Sequence, residues 1–213
     1  MINDNSKCKL MLDLDACICN TPRMISKYSK EMFNIGPGDV SYQETIFNIE
    51  DAWPEMNFQK LKQIFHLPEF WQDIKPFHRV IGFTKQLSKW FEVHIVTDRR
   101  WYPELLKETE SWLLHNNITY HELVIVKGVE KGEYCKSNNV IIAVEDKLIN
   151  VAPISEVCPV ILMDWPYNRV EGLQSNVYRC ESYYKALKQI ADLTGNIGKS
   201  WEYPQSMEPL YEQ

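Results

Sequence analysis

No apolar run in this chain of 213 residues approaches the ~20 residues that a membrane-spanning helix requires. Positive charge is also in deficit. The 23 Lys and Arg against 29 Asp and Glu leave a formal net charge of -6, which argues against general binding to nucleic acid polymers or anionic membranes. A local basic pocket is compatible with that sum. The six cysteines show no small-domain disulfide rhythm and the chain start has no signal-like pattern, so reduced thiols and a cytoplasmic setting are expected. Cys17 and Cys19 form a C-x-C, but no second Cys pair or His cluster stands at zinc-finger spacing, and structural zinc is not expected. Internal repeats and low-complexity tracts are absent. What is present, 45% hydrophobic and 24% charged residues, suits one packed globular domain with a modest insertion.

Five short apolar runs rich in β-branched residues lie at 8–14, 92–97, 122–126, 140–145 and 159–164. They are continuous rather than alternating, the habit of parallel strands buried on both faces. Helical patterns lie between them. Residues 78–90 place Val80, Phe83, Leu87 and Trp90 on one face, and Pro103 is expected to open a second helix with Leu105, Leu106, Trp112 and Leu113 as its apolar positions. The segment 181–193 reads as a closing helix. Strands alternating with helices imply an α/β fold, a three-layer sandwich around a parallel sheet.

The spacing is uneven. Roughly 75 residues separate the first run from the second, far more than one crossover helix needs. The expected division is a core of residues 1–20 and 76–195, a small, mainly helical cap at 21–75, and a tail at 196–213. The insertion is dense in aromatics, which also fits a second apolar core with no part in ligand binding.

In open α/β sheets, ligands bind outside the carboxyl ends of the strands. The first run ends on Asp13 and Asp15, one residue apart, which in an extended strand share a face. Two buried acids repel each other and resist desolvation, so a positive partner is required. The second run ends on Thr97, followed by Asp98, Arg99 and Arg100. Lys127 and Lys131 lie beyond the third, the fourth ends in Glu145 and Asp146, and the fifth ends in Asp164 followed by "WPYNR". Clustered carboxylates suit Mg²⁺, which keeps waters and substrate oxygens in its shell. Lysine and threonine beside it suit a phosphoryl group. The constellation points to phosphoryl transfer.

"DLDAC" at a strand end, Thr97 closing "VHIVT", a lysine after the third strand and "AVED" at the fourth resemble, in order and spacing, the four motifs of the haloacid dehalogenase superfamily. The insertion stands where that superfamily carries a C1-type cap. The stretch "FWQDIKPFHRVIGFTKQL" and the "DWPYNR" loop are similar, more narrowly, to 5'(3')-deoxyribonucleotidases and their bacterial and phage relatives. The resemblance implies a Rossmann-like core and a Mg²⁺-dependent phosphatase. Its substrate would be a small phosphoester such as a nucleoside monophosphate, its setting a bacterial or phage-infected cytoplasm, and a homodimer is one arrangement it allows.

The resemblance also implies roles. Asp13 would attack phosphorus to give an aspartyl-phosphate. Asp15 would protonate the leaving alkoxide and then deprotonate the hydrolytic water, with a pKa expected to be raised by its carboxylate neighbours. Thr97, Asp98 and a lysine would meet the phosphoryl group; Lys131 suits the motif spacing, with Lys127 next and Lys136 later. Asp13, the Asp15 backbone carbonyl, Asp146 and, through water or by orienting the shell, Glu145 would hold Mg²⁺. Phe70 and Trp71, with Phe33 and Trp53 behind them, are candidates to stack on a base, and Arg99 or Arg100 to reach a phosphate or base edge. Tyr167, Asn168 and Arg169 fall on the loop at the reacting edge. Each residue has a plainer reading: Asp as a turn cap, Thr as a strand former, Lys and Arg as solvated surface, Trp as core. Ala16 and Cys17 depart from the residues common in this turn, and Asn150 stands where some members have a further Asp. A sugar phosphatase of the same superfamily, a signalling receiver domain and a non-catalytic binding relative are the alternatives. The receiver reading suffers from the large insertion and from the lack of an acceptor Asp after the third strand.

Overall fold

The computed structural model describes residues 7–38 and 53–196. Within them, six strands form one parallel sheet: β1 (Lys9–Leu12), β2 (Glu92–Thr97), β3 (Glu122–Ile125), β4 (Val140–Glu145), β5 (Val160–Met163) and β6 (Val177–Cys180). Their spatial order is β3-β2-β1-β4-β5-β6. The chain runs outward from β1 to β3, then returns to pair β4 on the other side of β1. The order therefore reverses at the β1/β4 junction, where open sheets leave a crevice at their carboxyl ends.

The five expected runs are all strands, and β6 is an addition. Its four residues, Val-Tyr-Arg-Cys, bury only the two ends, so an edge strand with a polar middle carries no apolar run to detect. Alternation assigns the sheet's two faces. Leu10, Leu12, Val93, Ile95, Val144 and Met163 join one apolar cluster, while Met11, Val96, Ala143 and Leu162 join the other.

Between β1 and β2 lie α1 (Thr21–Phe33), α2 (Phe58–Phe65), α3 (Pro68–Asp73) and α4 (Val80–Trp90). The first three pack on one another. Helix α1 starts where the Asn20 side chain accepts from Arg23 N–H, and ends at Asn34 in the left-handed region. In α4 all four expected positions, Val80, Phe83, Leu87 and Trp90, are buried. The remaining helices are α5 (Leu105–His115), α6 (Lys131–Ser137), α7 (Leu148–Ser155) and α8 (Tyr183–Thr194). Helix α5 begins at Leu105 after a turn through Pro103, two residues later than expected, and Leu106 faces solvent rather than the core. The expected tail, apart from Asn196, and the middle of the insertion lie outside the described residues.

Candidate active site

The turn after β1 aims the two acids. Asp13 N–H continues the ladder onto Val144 O at 3.0 Å, and the Asp13 carboxylate accepts Leu14 N–H at 2.8 Å. Ala16 takes a φ of 62°, a left-handed conformation a residue with a Cβ adopts only when its surroundings enforce it. Here Trp165 Nε1 donates to Ala16 O at 2.9 Å and Tyr183 OH to Cys17 O at 2.8 Å. The tight turn is thus pinned by two aromatic side chains from the β5–α8 half of the fold.

The paired acids have separate positive partners, Arg99 for Asp15 and, for Asp13, Lys131, the first residue of α6. Its buried Nζ lies 2.8 Å from Asp13 Oδ1 and 2.9 Å from Glu145 Oε1. Glu145 is held in turn by Asp146 N–H at 2.6 Å, Lys147 N–H at 3.2 Å and Asn150 Nδ2 at 2.6 Å. Burial works against its charge, but Lys131 and these donors prevail and bring its pKa down to about 2. Asp13 is pushed the other way, up to about 8, by burial and by Glu145, against the pull of Lys131. Burial and the same neighbours raise Asp146 well above the carboxylate range. Two buried carboxylates therefore share one lysine, and Asp146 stands beside them with Tyr167 as its side-chain donor. Lys127, by contrast, is exposed and paired with Glu130 at 3.5 Å, and it does not line the cavity described below.

Asp15 departs from the expected raised pKa. Burial pushes it up, yet Arg99 outweighs burial and holds it below the usual value, helped by the Thr21 and Thr97 hydroxyls. Arg99 Nη2 lies 2.6 Å from Oδ1 and Nε 3.0 Å from Oδ2, Thr97 Oγ1 donates to Oδ2 at 3.2 Å, and Thr21 Oγ1 donates to Oδ1. Arg99 is 2% exposed. Its guanidinium is committed to Asp15 and rests over the Trp71 ring at 4.6 Å, so it does not present itself to a substrate. Arg100 does line the cavity, with its Nε on Asp98 Oδ1 at 2.6 Å. Asp98 also accepts Gly128 N–H at 3.0 Å, which makes its carboxylate a tie between the β2 and β3 loops.

The "DWPYNR" loop reaches the same point. Tyr167 OH donates to Asp146 Oδ2 at 2.6 Å and Asn168 Nδ2 to Asp146 O at 2.7 Å. Arg169 instead clasps Asp164 at 2.8 Å. Ligand atoms of Asp13, Cys17, Glu145 and Asp146 all fall within 4.8 Å of one another. The oxygens of Asp13 and Asp146 are hard donors in a cluster short of positive charge, which fits Mg²⁺. Burial and the adjacent acids keep the Cys17 thiol protonated, and Glu145 is occupied by its own donors, so neither is a direct ligand by this chemistry.

Above these groups opens a cavity of about 590 Å³ whose lining includes Asp13, Asp15, Thr97, Lys131 and Asp146. Its far wall is aromatic: Phe58, Phe65, Trp71 and Trp101. Phe65 and Trp101 centroids are 4.4 Å apart, Phe65 and Trp71 5.6 Å apart. Trp71 is only 4% exposed and already carries Arg99 and Phe65 against its ring, which leaves little ring for a base. Phe70 is fully buried among Tyr28, Phe65 and Trp71 and does not line the cavity. Nor do Phe33, which lies under Lys60, or Trp53, whose ring fills the space a Cβ on Gly36 would need. Thr21, Phe58, Phe65, Trp101 and Lys147 are lining residues that the sequence did not single out. The aromatic density of the insertion was a general signal for Phe58 and Phe65; nothing local marked the others.

A model of the family described as 5' nucleotidase, deoxy (pyrimidine), cytosolic type C protein matches residues 7–194. A candidate nucleotidase of Halalkalibacterium halodurans is 30% identical over 131 residues, covering 55% of this chain and 66% of that protein, just under two thirds of its length. Among solved structures, a haloacid dehalogenase-like hydrolase from Streptococcus pneumoniae aligns with a TM-score of 0.61 at 10% identity, over 86% of this chain and 98% of its own. One described as a predicted phosphatase from Clostridium acetobutylicum aligns at 0.60 and 16% identity, over 88% and 99%. At these identities the structures speak for the fold, the parallel α/β arrangement of haloacid dehalogenase-like hydrolases. With nearly the whole described chain under one family model, the protein belongs to the family described as 5' nucleotidase, deoxy (pyrimidine), cytosolic type C protein.

Proposed function

We propose that the protein is a Mg²⁺-dependent phosphatase that hydrolyses (deoxy)nucleoside monophosphates through an aspartyl-phosphate. The observation that carries this reading is the junction of two surfaces in one cavity: a buried Asp13–Lys131–Glu145–Asp146 cluster at the β1/β4 crevice, and an aromatic wall from α2, α3 and the β2–α5 loop. Helices α1–α3 act in this reading as the cap.

Asp13 and Asp146, with the Asp15 backbone carbonyl, would hold Mg²⁺. The ion would supply charge neutralisation for the carboxylates and for the phosphoryl oxygens. Asp13 attacks phosphorus, the P–O bond to the sugar breaks, and the acyl phosphate forms. Lys131 and Thr97 meet the charge on the transferring oxygens. Asp15 is the proton carrier. Arg99 holds it ionised, the form that takes a proton from the hydrolytic water in the second step. In the first step it must gain a proton for the leaving alkoxide, and an anionic phosphoryl group arriving beside it favours that gain. Phe58, Phe65 and Trp101 receive the nucleoside, with Trp71 packed behind them.

A cytoplasmic setting belongs to this reading. No helix among the described residues is long and apolar enough to cross a membrane.

The test is phosphate release from a panel of nucleoside monophosphates and sugar phosphates, with Mg²⁺ and with EDTA, for the wild type and Asp13→Asn. Mg²⁺-dependent release from nucleotides, lost in Asp13→Asn, is expected. Release only from sugar phosphates would keep the chemistry and discard the nucleotide; an active Asp13→Asn would discard the nucleophile.

A further inference from the structure

Helix α2 turns a mixed face to the cavity. Phe58, Leu61, Lys62, Phe65 and His66 all line it, the i, i+3, i+4, i+7, i+8 set of one helical face. Three of these are apolar and two are basic. The helix holds no acidic residue, in a chain with more acids than bases. Elsewhere two helical lysines sit against acids four residues away, Lys27 with Glu31 in α1 and Lys185 with Glu181 at the start of α8. Among the described residues Lys62 and His66 meet no such acid. The Lys62 ammonium has no hydrogen bond or ion pair among the described residues. His66 Nδ1 donates to Lys62 O at 2.7 Å, which leaves Nε2 to donate to an anion when the ring is protonated.

Across the same cavity stands Arg100. Its Nε is on Asp98, and its two Nη groups have no partner among the described residues. Of the acids that line the cavity, Asp13, Asp15 and Asp146 gather at the reacting end, and Asp98 is paired with Arg100. The α2 face of the cavity, its cap end, thus carries two basic side chains with no acidic partner among the described residues, and Arg100 adds a guanidinium with two open Nη groups beside the same aromatic wall.

We propose that this cap end is a second phosphoryl subsite, and that the preferred substrate is a nucleoside bisphosphate whose remote phosphate is held by Lys62, His66 and Arg100. The inference rests on the nucleotidase reading and narrows its substrate class. A phosphate accepts several charge-assisted hydrogen bonds at once, and an arginine fork suits it better than a single carboxylate. The aromatic rings line the same cavity, and a nucleoside bridging two phosphates would lay its base and sugar against them. A nucleoside 5'-diphosphate, by contrast, puts its second phosphate next to the scissile one and away from α2.

The experiment compares kcat/KM for a deoxynucleoside 3',5'-bisphosphate, the 5'-monophosphate and the 5'-diphosphate, in the wild type, Lys62→Glu and Lys60→Glu. Lys60 sits on the same helix but outside the cavity lining, over Phe33, so it controls for the helix's overall charge. The bisphosphate is expected to lead the monophosphate by about tenfold at low salt, with the lead shrinking as ionic strength rises. Lys62→Glu should bring that ratio close to one, while Lys60→Glu keeps it. A wild-type ratio near one overturns the subsite, as does a ratio that Lys62→Glu leaves alone, that Lys60→Glu lowers equally, or that the diphosphate matches. A wild type inert on all three esters overturns the nucleotidase reading and the subsite with it; activity without the bisphosphate preference overturns the subsite alone.

Discussion

Arg99 grips Asp15 through both carboxylate oxygens, Nη2 to Oδ1 at 2.6 Å and Nε to Oδ2 at 3.0 Å, and lays its guanidinium on the Trp71 ring at 4.6 Å. One side chain from the loop after β2 therefore ties a reacting-end acid to helix α3. Removing one partner of such a pair strands the other charge, typically at a cost of about 3–5 kcal/mol when both are buried. The Asp15 side chain is 22% exposed, which argues for the low end.

Arg99→Met should accordingly lose about 3 kcal/mol of unfolding free energy at pH 7, read from urea midpoints. The pH dependence has a definite sign. The folded pKa of Asp15 lies below its ordinary 3.8, so the pair's contribution is fully present above that ordinary value and fades as pH falls through the folded value. The gap between wild type and variant should be widest near neutrality and close in acid. A gap that is constant with pH would mean that Arg99 acts by packing on Trp71 rather than through Asp15.

Tyr167 touches the metal candidate Asp146 through its hydroxyl alone, at 2.6 Å, while its ring stacks on Trp165 at 5.7 Å. Tyr167→Phe keeps the stack and deletes the donor. Outer partners of metal ligands typically matter by 10- to 100-fold in affinity, so the Mg²⁺ concentration for half-maximal activity should rise by about tenfold or more. Turnover should recover at saturating Mg²⁺. An unchanged Mg²⁺ titration would separate Asp146 from the metal.

Much of this site was legible because parallel strands deliver their carboxyl ends to one edge. Asp13, Thr97, Glu145 and Asp146 could be gathered from strand ends before any contact was known. Motif spacing favoured Lys131 over Lys127 without excluding the latter; the contact depends on where α6 starts, and Lys131 Nζ points inward from its first turn to Asp13 and Glu145. Arg99 and Arg100 are chain neighbours with opposite fates, one buried on Asp15 and one on the cavity wall. The same split parts Phe70 from Trp71. Which of two adjacent side chains meets the core is decided by tertiary packing, and residue type alone does not encode it. Trp101 stands singly in a loop and joins the wall only because α2 brings Phe58 and Phe65 to within 5.9 and 4.4 Å of its ring.

The crowding of the Asp13, Glu145 and Asp146 carboxylates, of which Lys131 meets only the first two, makes the cation-free state less stable than the loaded one. A cation that binds only the folded chain stabilises it by about 2.7 kcal/mol at 100 times its Kd. For a domain of this size that corresponds to roughly 5–10 °C in Tm. Thermal unfolding in Mg²⁺ against EDTA should show such a rise, dependent on Mg²⁺ concentration, and Asp146→Asn should abolish most of it. An equal rise in Asp146→Asn would place the stabilising ion elsewhere.

Gly132 follows Lys131 in α6 and marks where α6 closes on α7. A Cβ at this position would stand 2.6 Å from the backbone oxygen of Pro153 and 2.8 Å from its carbonyl carbon, and backbone cannot swing aside as a side chain can. Glycine to alanine inside a helix ordinarily gains about 1 kcal/mol. Here the overlap should reverse the sign and cost about 1–3 kcal/mol. Relief requires α6 to move away from α7, and Lys131 moves with it, off a 2.8 Å contact with Asp13. Gly132→Ala should therefore lower both stability and kcat. Gly195 is the control: its φ of 69° disfavours a side chain, yet an added Cβ there meets nothing within 4 Å. Gly195→Ala should cost about 1 kcal/mol and leave kcat alone. If Gly132→Ala loses stability but keeps wild-type kcat, the close packing of α6 on α7 serves the fold without setting the lysine.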